Sequence, residues 1–503
     1  MTRPRFDGPG AEQQGPPAGT PSSGRGLTGL GSRLGSRAVL NTTLVLVARV
    51  VSRLIALVMV IVLARHLGAA DYGRYTTLVA YSAIVSVVAD FGLDPLYTRE
   101  VARHPDTQSR FLGTVFMGKL PLAAVAVVIF GIALASAGLG DLLLPAAALL
   151  VLTTYSQLLR NTFFAVGRVE FEAIAIICET TIQAVAIFGG AKLGFGVGFF
   201  VAAYAASFGF TTVYCLVVIK LFRLGGFWPR FDPRLFRTWI RLGLPFALAS
   251  LLTNVYWKAD VPILQHFHPY AEVGWYQFAY KPFESLQFVP LAVQTVVYPL
   301  LAVYHQQSPD RVEPAYTRFF KVLLLLGWPL TVGTFVLVQP VAHVFRLYPE
   351  SVPALRILAP AIVFLFINSA FVAMLGAMDR QDLFAWATGT AVVVNLGLNL
   401  ALIPKFGYLA ASATTVVTEA ALVLVGWWFV RRRYRLRWAR VSWRPLLAGL
   451  VMGAVLVPVA SYPVYICVPI GVAVYLAAVF LLRAVDGQEL QLLRRGFRPR
   501  DLI

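Results

Sequence analysis

Long apolar segments recur along this 503-residue chain from Thr43 to Leu482. Each is about twenty residues long, the length that an α-helix needs to span the hydrocarbon core of a bilayer. The apolar runs are continuous, whereas the strands of a membrane barrel would alternate apolar and polar residues. The pattern therefore predicts an all-α integral membrane protein.

About fourteen transmembrane helices are predicted, because a backbone in lipid must pair its own polar groups and each apolar run is long enough to span. The predicted spans lie near residues 42–64, 74–93, 115–137, 142–165, 172–191, 197–221, 239–264, 273–299, 321–345, 354–376, 383–403, 408–430, 445–461 and 463–482.

Composition excludes a large soluble protein: 58% of the residues are hydrophobic, 13% are charged, and the mean hydropathy is +0.71. Neither a metal site nor a cofactor is predicted, since the three cysteines lie in apolar runs without the spacing of metal ligands. The connections are short, and we find no Walker A, His-Glu zinc or Gly-x-Ser-x-Gly motif. The chain is therefore predicted not to be an enzyme.

The basic residues predict the orientation, because Lys and Arg favour cytoplasmic loops. If the N-terminus is cytoplasmic, most of the 43 Lys and Arg residues fall on the cytoplasmic side. We therefore predict that both termini lie in the cytoplasm, and that the protein is a multi-pass protein of the plasma membrane. The net charge of +19 then needs no nucleic-acid partner. It favours contact with anionic membrane lipids instead.

A weak internal repeat divides the chain. Ala-Asp-Tyr-Gly-Arg-Tyr at 70–75 matches Ala-Glu-Val-Gly-Trp-Tyr at 271–276, and two further connections match in the same order. The two copies of the repeat are six spans apart, so both have the same orientation in the membrane. Two six-helix lobes related by an axis along the membrane normal are therefore predicted. The predicted parts are a disordered basic cytoplasmic tail (1–38), an N-lobe (39–224), a basic cytoplasmic loop (225–237), a C-lobe (238–434), helices thirteen and fourteen (435–485) and a second basic tail (486–503).

Four cations inside predicted spans are candidate substrate-binding residues. A charge near the bilayer centre costs roughly 2.5–3.5 kcal/mol, so its presence points to function. Arg49 and Arg53 are four residues apart and share one helix face. Lys258 and Lys281 lie in spans seven and eight, although either lysine could instead extend toward the outer surface.

Three acids accompany these cations within the predicted spans: Asp260, Glu284 and Glu419. They are candidates either for ion coupling or for structural pairing with the lysines. The sequence leaves both roles open.

The segments 63–75 and 258–281 resemble the signatures that open each half of the polysaccharide-biosynthesis flippases (Wzx type) of the MOP superfamily. The resemblance extends over roughly residues 40–485. It implies two lobes around a central cavity and alternating access that moves undecaprenyl-pyrophosphate-linked oligosaccharide from the inner to the outer leaflet. Arg49, Arg53 and Lys281 match the positions of basic residues that meet the pyrophosphate in such proteins.

The resemblance also implies the partners: a polyprenyl-pyrophosphate-linked glycan, membrane lipids, and polysaccharide polymerases or glycosyltransferases. The nearby acids depart from the pattern and leave a MATE-like antiporter of cationic drugs as an alternative. A lipid II flippase differs only in substrate. A membrane glycosyltransferase or polymerase is disfavoured, because it would need a large extramembrane loop or an exposed carboxylate site.

Overall fold

The computed structural model describes residues 27–104, 107–224, 231–345, 348–435 and 438–485. Within these ranges every regular element is helical. The α-helices are α1 (Leu27–Asp90), α2 (Leu93–Arg103), α3 (Gln108–Ser136), α4 (Leu143–Ala165), α5 (Glu170–Leu193), α6 (Val197–Leu221), α7 (Pro233–Lys258), α8 (Asp260–Phe267), α9 (Tyr270–Leu286), α10 (Phe288–Gln307), α11 (Pro309–Phe345), α12 (Ser351–Ala377), α13 (Gln381–Val430), α14 (Trp438–Val459) and α15 (Val464–Leu481).

Two of the longest helices are each interrupted by a glycine. Gly68 in α1 has φ 74° and ψ 171°, and Gly407 in α13 has φ 58° and ψ −140°. Only glycine adopts such angles at little cost. Twelve stretches in the described ranges are long and apolar enough to cross a membrane. Splitting α1 and α13 at these glycines gives the predicted fourteen spans, so the predicted fold class is confirmed.

Helix α1 begins at Leu27, so residues 27–38, predicted as part of a disordered tail, are helical. Pro21 is the last proline before this helix, and Leu27, Leu30 and Leu34 recur with helical spacing. The predicted tail segments 1–26 and 486–503, and residues 225–230 of the predicted loop, lie outside the described residues.

Spans seven and eight were predicted as continuous helices, and each is broken near a proline. Pro262 has no N–H to donate to the carbonyl of Lys258, and α7 ends at that lysine. Pro290 likewise leaves the carbonyl of Leu286 without a donor, and α9 ends there. The first break places Lys258 at one helix end and Asp260 at the next helix start.

The helices pack in two groups. Helices α1 to α6 pack largely on one another, and α7 to α13 form the second group. The groups meet where α1 contacts α9 and where α2 contacts α7, while α14 and α15 pack on α11. This grouping agrees with two lobes plus two additional helices. The lobe boundaries and the cytoplasmic position of the termini stay predictions.

The two copies of the repeated motif contact each other between these groups. A Cβ atom on Gly73 would lie 1.9 Å from the backbone oxygen of Tyr270, and one on Gly274 would lie 2.0 Å from that of Ala69. Ala69 and Gly73 in the first copy correspond to Tyr270 and Gly274 in the second. Each glycine therefore packs against the equivalent backbone position of the other copy. Glycine is required at both positions because the backbones of α1 and α9 approach so closely.

Candidate functional site between the two helix groups

A cavity of about 150 Å³ lies between the two groups. One wall comes from α1, α5 and α6, and the other from α7 and α9. Its polar lining includes Tyr72, Tyr204, Gln277, Lys258 and Lys281. Among the described residues that line it there is no carboxylate, so the wall is cationic.

One carboxylate holds both lysines. Glu284 lies 2.9 Å from the Lys258 Nζ through Oε1 and 2.8 Å from the Lys281 Nζ through Oε2. The two lysines come from different helices, α7 and α9, so Glu284 links the end of α7 to α9. Two positive charges share one negative charge, so the triad has a net charge of +1.

Arg53 is exposed and makes no hydrogen bond or ion pair with the described part of the chain. Its charge acts electrostatically on Tyr204, which lines the cavity. Arg53 is not itself among the lining residues, but helical spacing puts it on the same face of α1 as Ala56 and Val60, which do line the cavity.

Arg49 has a different environment from Arg53. Its Nη2 lies 4.0 Å from the Oε1 of Glu172, a side chain that is only 2% exposed. Arg160 pairs with the same carboxylate through two bonds of 2.7 and 2.9 Å and with Glu179 at 3.1 Å. Arg49 and Arg160 thus form a network with Glu172 and Glu179 in which two positive charges balance two negative ones. Arg160 was not among the site residues predicted from the sequence.

Asp260 and Glu419 are buried away from the cavity lining. Asp260 accepts hydrogen bonds from the Tyr276 hydroxyl and, at 2.9 Å, from the Val261 N–H. Glu419 accepts one from the Tyr256 hydroxyl at 2.5 Å, and its Oε2 has no partner in the described structure. An isolated buried carboxylate is costly, so the Glu419 carboxyl needs a proton or a cation.

We expect Glu419→Gln to change the free energy of unfolding by less than about 1 kcal/mol, since the amide oxygen still accepts the Tyr256 hydrogen bond. Tyr256→Phe should cost about 1–3 kcal/mol, because it removes the one hydrogen bond that Glu419 receives within the described structure. Thermal unfolding in detergent measures both. A larger loss in Glu419→Gln than in Tyr256→Phe would indicate a bound cation that the carboxylate holds.

A buried ion cluster in the first helix group was also missed. Lys119 is 0% exposed, and its Nζ lies 2.8 Å from Asp90 Oδ1 and 2.5 Å from Asp94 Oδ1. Lys119 lies inside α3, and its burial was not predicted from the sequence. Two acids four residues apart beside a helix carrying a lysine are the signal that would have found the cluster.

Comparison with known proteins identifies the family. The sequence profile described as "Polysaccharide biosynthesis protein" matches residues 38–305, more than half of the chain. The chain belongs to the polysaccharide biosynthesis protein family. The MatE profile also matches residues 245–401, in the second helix group of this family member.

Similarity to individual proteins is low in sequence and high in fold. The uncharacterized membrane protein YabM of Bacillus subtilis (strain 168) is 27% identical over 173 residues, which span 34% of this chain and 32% of YabM. The lipid II flippase MurJ, in an inward closed conformation, superposes with a TM-score of 0.73 at 16% identity, covering 88% of this chain and 99% of MurJ.

An inward-facing multidrug resistance MATE transporter of the MOP superfamily superposes with a TM-score of 0.60 at 16% identity, covering 77% of this chain and 98% of the transporter. These likenesses establish for this polysaccharide biosynthesis protein the fold of the MOP superfamily. Its long apolar helices make it a multi-pass membrane protein. The described residues contain no group of three or more His, Cys, Asp or Glu side chains suited to a metal ion.

Proposed function

We propose that this protein is a flippase that moves undecaprenyl-pyrophosphate-linked oligosaccharide from the inner to the outer leaflet by alternating access. The observation that supports the proposal is the charge around the cavity. Lys258 and Lys281 line it from the second helix group, and Arg53 lies on the lining face of α1 in the first. Glu284 is the one carboxylate among the described residues that pairs with the lysines. The site therefore has two uncompensated positive charges for a pyrophosphate.

The chemistry of these side chains suits a pyrophosphate. An Arg guanidinium presents a planar fork of donors that matches phosphate oxygens, and Lys adds a compact charge. With a negative-inside potential, outward movement of two negative charges is favoured by about 4–5 kcal/mol per 100 mV. The membrane potential alone thus provides a driving force. Ion coupling at Asp260, Glu284 or Glu419 stays a prediction, and Glu284 is already engaged with two lysines.

The cavity of about 150 Å³ is smaller than an ordinary small-molecule pocket of about 300–1,000 Å³. We infer that the helix groups separate to admit a lipid-linked oligosaccharide. The contact of Gly73 with α9 closes one end of the interface, and packing of Gly92 against Gly243 closes the other. Alternating access then consists of opening one of these contacts while the other stays closed.

The alternatives predict a different cavity. An antiporter of cationic drugs needs carboxylates at the wall, whereas Asp260 and Glu419 are buried elsewhere.

The transporters with similar folds favour a chain that is not itself an enzyme. We propose the plasma membrane as its site, both termini in the cytoplasm, and polysaccharide polymerases or glycosyltransferases as neighbours that make or use the transported glycan.

We expect Arg53→Ala to reduce transport at least tenfold, since a lost charge-assisted hydrogen bond to phosphate costs about 1.5–3 kcal/mol. Purified protein in liposomes that contain fluorescent undecaprenyl-pyrophosphate oligosaccharide, with a membrane-impermeant reductant, reports the rate. Arg65→Ala is the matched control, because Arg65 is also an exposed arginine of α1 but lies about half a turn away from Ala56 and Leu63, which line the cavity. Equal rates for wild type and Arg53→Ala would contradict the assignment.

A further inference from the structure

A second, strongly basic cleft of about 1040 Å³ lies at the predicted cytoplasmic ends of α11 and α14, beside the connection that follows α13. Its basic lining residues are Arg318, Lys321, Arg433, Arg435, Arg440 and Arg444. Its acidic lining residues are Asp310 and Glu313. The described lining thus has a net charge of +4, and it is separate from the cavity between the two helix groups.

The sequence pattern explains why these charges face one another. On α11 the lining positions 310, 313, 317, 318 and 321 recur at intervals of three and four residues, which is one face of a helix. On α14 the lining positions 440 and 444 also share a face. Because α11 packs on α14, the two basic faces border the same space.

Part of the acidic charge is engaged within the protein. Glu313 accepts a hydrogen bond of 2.9 Å from the backbone N–H of Arg435. Arg444 donates to the backbone oxygen of Arg483 at 2.8 Å, which fixes its position. Arg318 and Arg440 make no hydrogen bond or ion pair with any residue that the structure describes. Their guanidinium groups are available to an anion.

The predicted spans put the cleft at the level of lipid headgroups. Lys321 and Arg444 stand at the start of predicted spans nine and thirteen. Trp443, which also lines the cleft, is 49% exposed, and tryptophan is enriched at the boundary between the hydrocarbon core and water. An anion that reaches this cleft from the membrane would leave its acyl chains beside the apolar surfaces of α11 and α14.

We propose that this cleft binds the phosphate headgroup of an anionic phospholipid from the cytoplasmic leaflet. Arginine donors pair with phosphate oxygens, and basic pockets between transmembrane helices on the cytoplasmic side suit such headgroups. The lipid fastens α14 to α11, outside the two helix groups that form the transport cavity. The site therefore does not depend on the flippase assignment.

The test compares two pairs of substitutions that remove equal charge. The double variant Arg318→Gln with Arg440→Gln removes two positive charges from the cleft lining. Arg431→Gln with Arg432→Gln is the control, since these guanidinium groups lie over Trp427 and Trp428 at 4.3 and 3.7 Å and do not line the cleft. Native mass spectrometry of the full chain, equilibrated with phosphatidylglycerol or phosphatidylcholine, measures how much lipid each variant retains.

The cleft variant should retain phosphatidylglycerol about tenfold less than wild type, with phosphatidylcholine unchanged. The control pair should stay within about twofold. On the wild-type protein, a photoactivatable phosphatidylglycerol should attach within 309–321 or 440–444, which tests the site even if a variant folds poorly. Equal losses in both pairs of substitutions, unchanged retention in the cleft variant, or attachment elsewhere would overturn the proposal.

Discussion

Replacing Gly73 or Gly274 with alanine is expected to reduce lipid transport at least tenfold while the protein still inserts into the membrane. A Cβ at either position would lie about 2 Å from a backbone oxygen of the partner helix, at 1.9 Å for Gly73 and 2.0 Å for Gly274. No rotamer change relieves a clash with backbone, so α1 and α9 must move apart. The contact that closes this end of the interface is then lost.

Rates of lipid transfer in liposomes measure this effect. Gly397→Ala is the matched control: Gly397 lies in α13, and nothing is within 4 Å of the Cβ it would gain. We expect that control to transport at the wild-type rate and to be slightly stabilised, because alanine favours a helix more than glycine does. Wild-type transport by both Gly73→Ala and Gly274→Ala would show that the close approach is not part of the cycle.

Removal of the buried lysine should have the largest effect on stability. We expect Lys119→Met to lower the free energy of unfolding by about 3–5 kcal/mol, because the buried Asp94 and the half-buried Asp90 would lose their cation. Lys119→Arg keeps the charge and should lose less. Thermal unfolding in detergent measures the shift.

Lys220→Met is the control for that experiment, since Lys220 is an exposed lysine at the end of α6. Its effect should stay within about 0.5 kcal/mol. A Lys119→Met protein as stable as this control would mean that the two aspartates are protonated or solvated, and that the cluster is not an ion triad.

Much of the fold follows from local sequence. The apolar runs predict the spans because a lipid environment leaves helices as the one alternative to a closed barrel. Helix α13 is interrupted at Gly407, which falls between two predicted spans. Helix α1 is interrupted at Gly68, which lies beside the repeated motif. The breaks near Pro262 and Pro290 were not predicted, since prolines inside membrane helices are tolerated and their effect depends on neighbouring helices.

The candidate site was only partly predictable. Its lysines were recognised from their position in spans, and the structure places both at the cavity wall. Pairing with the lysines was one of the two roles left open for Glu284, and the structure shows that it contacts both of them. That one carboxylate holds two lysines from different helices could not be predicted from the sequence. The burial of Lys119 was not predicted, because it depends on Asp90 of α1 and Asp94 of α2, which contact Lys119 only in the folded protein. The binding roles of Arg49, Arg53, Lys258 and Lys281 stay predictions.

The central claim is that a cationic cavity between two lobes carries a pyrophosphate across the membrane. The most direct measurement compares, in the same liposomes with wild-type protein, transfer of fluorescent undecaprenyl-pyrophosphate oligosaccharide and of the same lipid-linked glycan without phosphates. The account predicts transfer of the pyrophosphate lipid at least tenfold faster than transfer of the uncharged lipid. Equal rates for both lipids, or no transfer of either together with proton-coupled efflux of organic cations, would contradict it.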